Sequence, residues 1–222
     1  MTDTASVATD LDVVPGLAGL YIASPRGGWQ RGLYPCELDG GGSLVSTVDD
    51  MLRWLAHMRS SEKIVGSPQS WAMLSEPTTL SSGSKVSYGF GLARHPYRGV
   101  EIVHHAGAVL GAQSQMLSVP SHGLDIIVMV NGAPVAPSPL ALKVVELLLG
   151  DALQPPEVRP QASAFSALVG QNYHEPSTGS VMGFSDVSGR LCMSWQAGDA
   201  RPMHQGEGKL WLGLQDLPLN DL

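Results

Sequence analysis

Between Lys85 and Asn131 the chain carries four short runs of β-type residues: "KVSYGFGLA" (85–93), "GVEIVHH" (99–105), "AQSQMLSV" (112–119) and "LDIIVMVN" (124–131). The links between them are only a few residues long. Links this short suit antiparallel connections. Helical patterns flank the sheet. In "STVDDMLRWLAHM", Ser46 or Thr47 can cap, Asp49 and Asp50 suit the first turn, and Val48, Met51, Leu52, Leu55 and Met58 recur at helical spacing. A second, short helix is expected at 68–75, with Ser67 as N-cap and Pro68 at the first helical position. A third follows in "LALKVVELLLG", with Ser138 as cap, Pro139 at its start and Gly150 at its end. The expected fold class is therefore α+β, an antiparallel sheet with covering helices.

What flanks this core is less regular. Residues 1 to about 40 are rich in Gly, Pro and Ser, and "SPRGGW" reads as a turn. After the third helix, residues 151–162 carry three prolines and no periodicity, the pattern of a linker. Short β-like runs then recur from 163 to 222, as in a small all-β domain, either barrel-like or lipocalin-like and short for a closed barrel. The expected organisation is 1–150, a linker at 151–162, and 163–222.

Composition excludes several functions. Charged residues make up 15% of the 222, and 13 Lys plus Arg stand against 20 Asp plus Glu, a formal charge of −7. No basic stripe exists to follow a nucleic-acid backbone. No apolar run approaches the ~20 residues of a membrane-spanning helix. The first residues have neither the basic nor the apolar region of a signal peptide, which as written implies a cytoplasmic protein. Cys36 and Cys192 are far apart and read as two buried thiols. Neither H-E-x-x-H nor C-x-x-C occurs, and His57, His95, His122, His174 and His204 stand in helix, loop or turn contexts, so no metal or other cofactor is expected. Ser60–Lys63 and Ser82–Lys85 match S-x-x-K, a hydroxyl and an amine one helical turn apart. The first lies at the polar end of a helix and the second in a Ser/Gly loop, so both read as accidental.

The stretch "EIVHHAGAVLGAQSQM" (101–116) remains. Two histidines end a strand, and every bulky side chain is then stripped out, as where a ligand or another backbone must come close. His105-Ala106-Gly107 resembles the third motif, Lys-Thr-Gly or His-x-Gly, of the penicillin-recognising serine hydrolases. That superfamily includes the class C β-lactamases, D,D-peptidases, D-aminopeptidases and related esterases. "DGGGSLVSTVDDMLRWL", "YGFGLA" and "LSVPSHGLDIIVMVNG" resemble its neighbouring segments, and "MTDT" resembles an internal "GMTDT" of the family. The tail resembles the β-rich accessory domains of some D-aminopeptidases. The resemblance implies a β-lactamase/transpeptidase-like fold, here incomplete. The family's two earlier motifs, S-x-x-K and Tyr-x-Asn, have no counterpart in order here, so the missing N-terminal half of the same domain would be the natural partner.

The resemblance also implies an acyl-serine hydrolase acting on a small peptide, amide or ester. His105 would face the missing tyrosine or steer the substrate's polar end. Gly107 would let the substrate lie along the strand, and the Ala108 N–H would be an oxyanion donor, a role worth roughly 3–4 kcal/mol of barrier. Ala106, Gln113 and Ser114 would border the substrate. His104, one residue along, would point to the other face and be structural. The alternative is a non-catalytic module that binds a ligand or partner.

Overall fold

The computed structural model describes residues 1–7, 9, 12–32, 41–81, 83, 85–133, 135–156, 159–196, 200–206 and 209–212. Cys36 and Ser82 lie outside them. The chain divides into two compact units, Met1–Gln154 and Pro155–Leu222.

The first unit opens with β1 (Ala5–Ser6), the hairpin of β2 (Tyr21–Ala23) and β3 (Trp29–Arg31), and β4 (Leu44–Val45), which pairs back onto β1. Helix α1 (Val48–Arg59) follows, capped by Thr47, whose hydroxyl accepts from the Asp50 N–H. Leu55 is its fully buried anchor, whereas Val48, expected on the apolar stripe, is exposed. The Asp50 carboxylate does more than favour the helix dipole. It is wholly buried and accepts from the Asp3 N–H (2.8 Å), the Thr4 hydroxyl (2.8 Å) and Arg53 (2.6 Å), tying residues 3–4 to the helix. Burial alone would raise its pKa; these donors outweigh it and hold the group down at about 2.

Helix α2 (Pro68–Ser75) has Pro68 at its start and a capping box between Ser67 and Ser70. The two-residue strands β5 (Thr78–Thr79) and β6 (Lys85–Val86) pair next. The segment 85–93, read as one strand, is instead a strand end followed by a tight turn. Gly91 sits at φ +133, and the Phe90 and Leu92 N–H groups bond the Met73 and Leu74 carbonyls of α2.

The central sheet is antiparallel, in the order β10-β9-β8-β7, built from β7 (Ala93–Tyr97), β8 (Val100–Val109), β9 (Ala112–Val119) and β10 (Leu124–Val130). Helix α3 (Pro137–Leu149) covers one face. Ala141 and Val145 pack there on Val100, Ile102, Leu117, Val119 and Ile126. Arg59 of α1 reaches Asp125 of β10 at 2.6 Å, and Asp125 pairs in register with Ser118 on the other face. The cap of α3 differs from expectation. Pro137, not Pro139, is its first residue, Ala136 is the cap residue, and the Ser138 hydroxyl donates to Gln115 Oε1 at 2.6 Å.

The expected linker is partly taken up by the two units. Gln154 bonds the Arg98 carbonyl, while Pro160 and Ala162 bond Leu191 and Gly189. The second unit is a meander of β11 (Asn172–Glu175), β12 (Ser180–Val187), β13 (Arg190–Trp195), β14 (Arg201–Gly206) and β15 (Lys209–Leu212). No pairing of β15 with β11 closes it among the described residues. Its core gathers Leu191, Met193 and Met203 with Phe165 and Phe184. Cys192 is a buried free thiol.

Candidate active-site edge

Two tight turns set the geometry of β8. Arg98 and Gly99 (φ +47 and +85) close the pair Tyr97↔Val100, and Leu110-Gly111 close the pair Val109↔Ala112. The closing pair of a two-residue hairpin exchanges both hydrogen bonds, and the pattern then alternates. Both turns give the same parity: even-numbered residues of β8 turn their N–H and C=O groups toward β7, and odd-numbered residues toward β9. β7 ends opposite His104. Beyond that point, among the described residues, no strand pairs with β8 on that side. Ala106 and Ala108 therefore present backbone N–H and C=O groups to an open edge.

Side chains alternate as well. His105, Gly107 and Ser114 share the face that carries Ser118 and Asp125. His104, Ala106, Ala108, Gln113 and Gln115 share the α3 face, by register with Leu117 and Ile102. The six expected site residues are thus brought into one hairpin but not onto one surface. Gly107 lies directly opposite Ser114, and a Cβ there would come within 2.6 Å of the Ser114 hydroxyl. Gln113, expected to border substrate beside Ser114, is only 6% exposed and lies on the other face. Adjacent strand residues cannot both look into one cleft. Ala106 likewise offers the edge its backbone rather than its methyl.

His104 is embedded. Ser138 donates to Gln115 Oε1, so the Gln115 amide nitrogen faces His104 Nδ1 (3.1 Å) and the Met116 carbonyl (3.0 Å). Nδ1 must then accept, and His104 carries its proton on Nε2. The His95 ring stands edge-on to it with centroids 5.0 Å apart. Burial first, then the neighbouring His95 and His105, push the His104 pKa down to about 4. This imidazole is a neutral structural group.

Sequence reasoning missed Tyr88. Its hydroxyl lies 2.8 Å from His105 Nε2. The residue fails the Tyr-x-Asn test, and only the fold of the glycine turn brings it across to β8. The Ser60–Lys63 match dissolves: the Lys63 ammonium donates to the His57 and Met58 carbonyls and sits 4.8 Å above the Trp71 ring. A surface recess of about 440 Å³ lies elsewhere, at the β2–β3 hairpin beside Arg26 and Trp29, with none of these groups in its lining. Among the described residues no cluster of three or more His, Cys, Asp or Glu could hold a metal ion, and no helix is long and apolar enough to cross a membrane.

The chain is similar to several known proteins. A D-aminopeptidase of Gluconobacter oxydans is 30% identical over 130 residues, which are 58% of this chain and 24% of that protein. A D-aminopeptidase of Cereibacter sphaeroides is 27% identical over 95 residues, 41% of this chain and 17% of that one. The chain thus spans about a quarter or less of the length of these relatives. The penicillin-binding protein homologue of Pyrococcus abyssi, an octamer, superposes with a TM-score of 0.60 at 18% identity, over 95% of this chain and 52% of that one. That likeness is one of fold. The family model described as Beta-lactamase matches residues 1–150, and the chain belongs to that family.

Proposed function

We propose that this chain supplies one wall of the active site of a serine hydrolase that cleaves amide or ester bonds through an acyl-serine, with the nucleophile on polypeptide outside this sequence. The observation that carries the reading is the open edge of β8. The Ala108 N–H points out of the sheet where an oxyanion could be met, and Ala106 offers backbone groups to an extended substrate. His105 stands beside them on the face shared with Gly107. In the proposed reaction the serine Oγ attacks the carbonyl carbon, its proton passes to a base outside this chain, and the Ala108 N–H holds the developing oxyanion. The missing side of the domain would cover apolar groups now bare around the β8–β9 hairpin, among them Phe90 and Leu110. Similarity to proteins named D-aminopeptidase points to peptides of D-amino acids as the substrates of the whole enzyme.

The test extends the polypeptide through the coding sequence upstream of Met1. That region should encode S-x-x-K and then Tyr-x-Asn. The longer protein should be labelled stoichiometrically by a fluorophosphonate, and the present chain should not be. An upstream region lacking both motifs, or labelling of the present chain at Ser60, refutes the proposal.

A further inference from the structure

We propose that Tyr88 is a positioning residue for His105: its phenol donates to Nε2 and so holds the imidazole as the Nδ1–H tautomer in one orientation. The inference rests on the reading of His105 as a residue of the site and adds a group that the family resemblance does not supply, since Tyr88 is followed at plus two by Phe90.

The contact is 2.8 Å between Tyr88 Oη and His105 Nε2, with ring centroids 5.9 Å apart and planes at 52°. Its direction follows from chemistry. A neutral imidazole has one donor and one acceptor nitrogen, and the acceptor lone pair is strong. The phenol oxygen is the weaker acceptor of the two, because its lone pair is delocalised into the ring. The phenol therefore donates, Nε2 accepts, and the ring proton lies on Nδ1.

Tyr88 is itself held. Its carbonyl accepts from the Thr78 N–H (3.2 Å), and it bridges to Ala93. The turn that follows is fastened to the last turn of α2 by Phe90 N–H to the Met73 carbonyl (3.1 Å) and Leu92 N–H to the Leu74 carbonyl (2.9 Å). Gly89 lies so close to that turn that a Cβ would come within 2.5 Å of the Leu74 carbonyl oxygen. Unpaired helix-end carbonyls need donors, and here the glycine turn supplies them. The constraint thus runs from the end of α2 through the turn to the phenol, and from the phenol to the imidazole.

The experiment is a long-range ¹H–¹⁵N correlation of the histidine rings in the ¹⁵N-labelled chain near neutral pH, with His105→Gln assigning the signals. His105 should show a protonated Nδ1 and a bare Nε2. Tyr88→Phe, which keeps the ring and removes only the hydroxyl, should convert this into a fast-exchanging mixture of tautomers while the amide signals of β9 and β10 stay in place. Gly89→Ala keeps the phenol but displaces the turn, and should give the same mixture. A wild-type ring with its proton on Nε2, or a tautomer unchanged in Tyr88→Phe or in Gly89→Ala, overturns the proposal. The readout is the ring nitrogens and not turnover. Failure of the hydrolase reading would leave these spectra as expected while the extended protein stayed unlabelled.

Discussion

Acidification from about pH 7.5 to about pH 4.5 should destabilise the N-terminal unit through His104. In the fold its imidazole titrates at about 4, against an ordinary value of 6.5. The folded value is the lower one, so the fold favours the neutral ring. As pH falls through 6.5 the unfolded chain takes up a proton that the folded chain refuses until about 4. Stability is therefore complete above 6.5 and drains away between 6.5 and 4. Integrated to about pH 4.5, the loss is about 2.5 kcal/mol. His95, whose pKa burial also lowers, acts in the same direction. The depressed carboxylates interfere little in this window. Asp50, ordinarily 3.8 and here about 2, contributes stability that is present above 3.8 and lost as pH falls through about 2. The assay is urea denaturation across the pH series, followed by a probe confined to the first unit. His104→Leu should be less stable near neutrality, because Gln115 loses a partner, yet lose markedly less on acidification. A variant with the full wild-type acid dependence would refute the assignment of this step to His104.

Three further outcomes follow. Gly111→Ala should cost about 1–3 kcal/mol in urea denaturation, since φ is +93 and its Cβ would lie 2.7 Å from the Tyr21 amide nitrogen. Asp50→Asn should strip hydrogen-exchange protection from Val7, whose N–H bonds the Ser43 carbonyl, more than from the central sheet, because the anchor of residues 3–4 is weakened. Leu191→Ala, at a fully buried position in the second unit, should cost about 2–5 kcal/mol there, read by loss of amide dispersion in β12 and β13.

The parts of this fold legible in the sequence were those written locally. Ser67-Pro68 specifies the start of α2 by itself, and short links specify an antiparallel sheet. Signals that depend on a distant partner were harder to read. Ser138 looks like a cap until Gln115, 23 residues away in sequence, claims its hydroxyl. "YGFGLA" looks like a strand until the carbonyls at the end of α2 claim its amides. Asp50 looks like a helix-dipole residue until the N-terminal segment arrives as its ligand. In the candidate site, the split between His104 and His105 follows from strand alternation alone. The same rule separates Gln113 from Ser114, but a pair of polar neighbours invites reading as one surface. Tyr88 opens the family-like "YGFGLA", but nothing there signals its contact with His105, which depends on the packing of the turn against α2.

The register of β8 is what makes this hairpin a candidate site. On a strand the side chain alternates with a period of two, and so does the direction of the backbone groups. In β8 the two alternations are phased against each other around one point, where β7 stops. Odd positions send His105 and the bare Gly107 onto one face while their amides are used by β9. Even positions send His104 and small methyls toward α3 while the Ala106 and Ala108 amides turn to the open edge. A slip of β8 by one residue would exchange these together, burying His105 and turning His104 away from Gln115. The hydrogen-bonded run from Ser138 through Gln115 to His104 opposes that slip. It specifies which histidine is inside with directional bonds that no hydrophobic pair could replace. A polar network on the α3 face thereby fixes which imidazole reaches Tyr88 on the other.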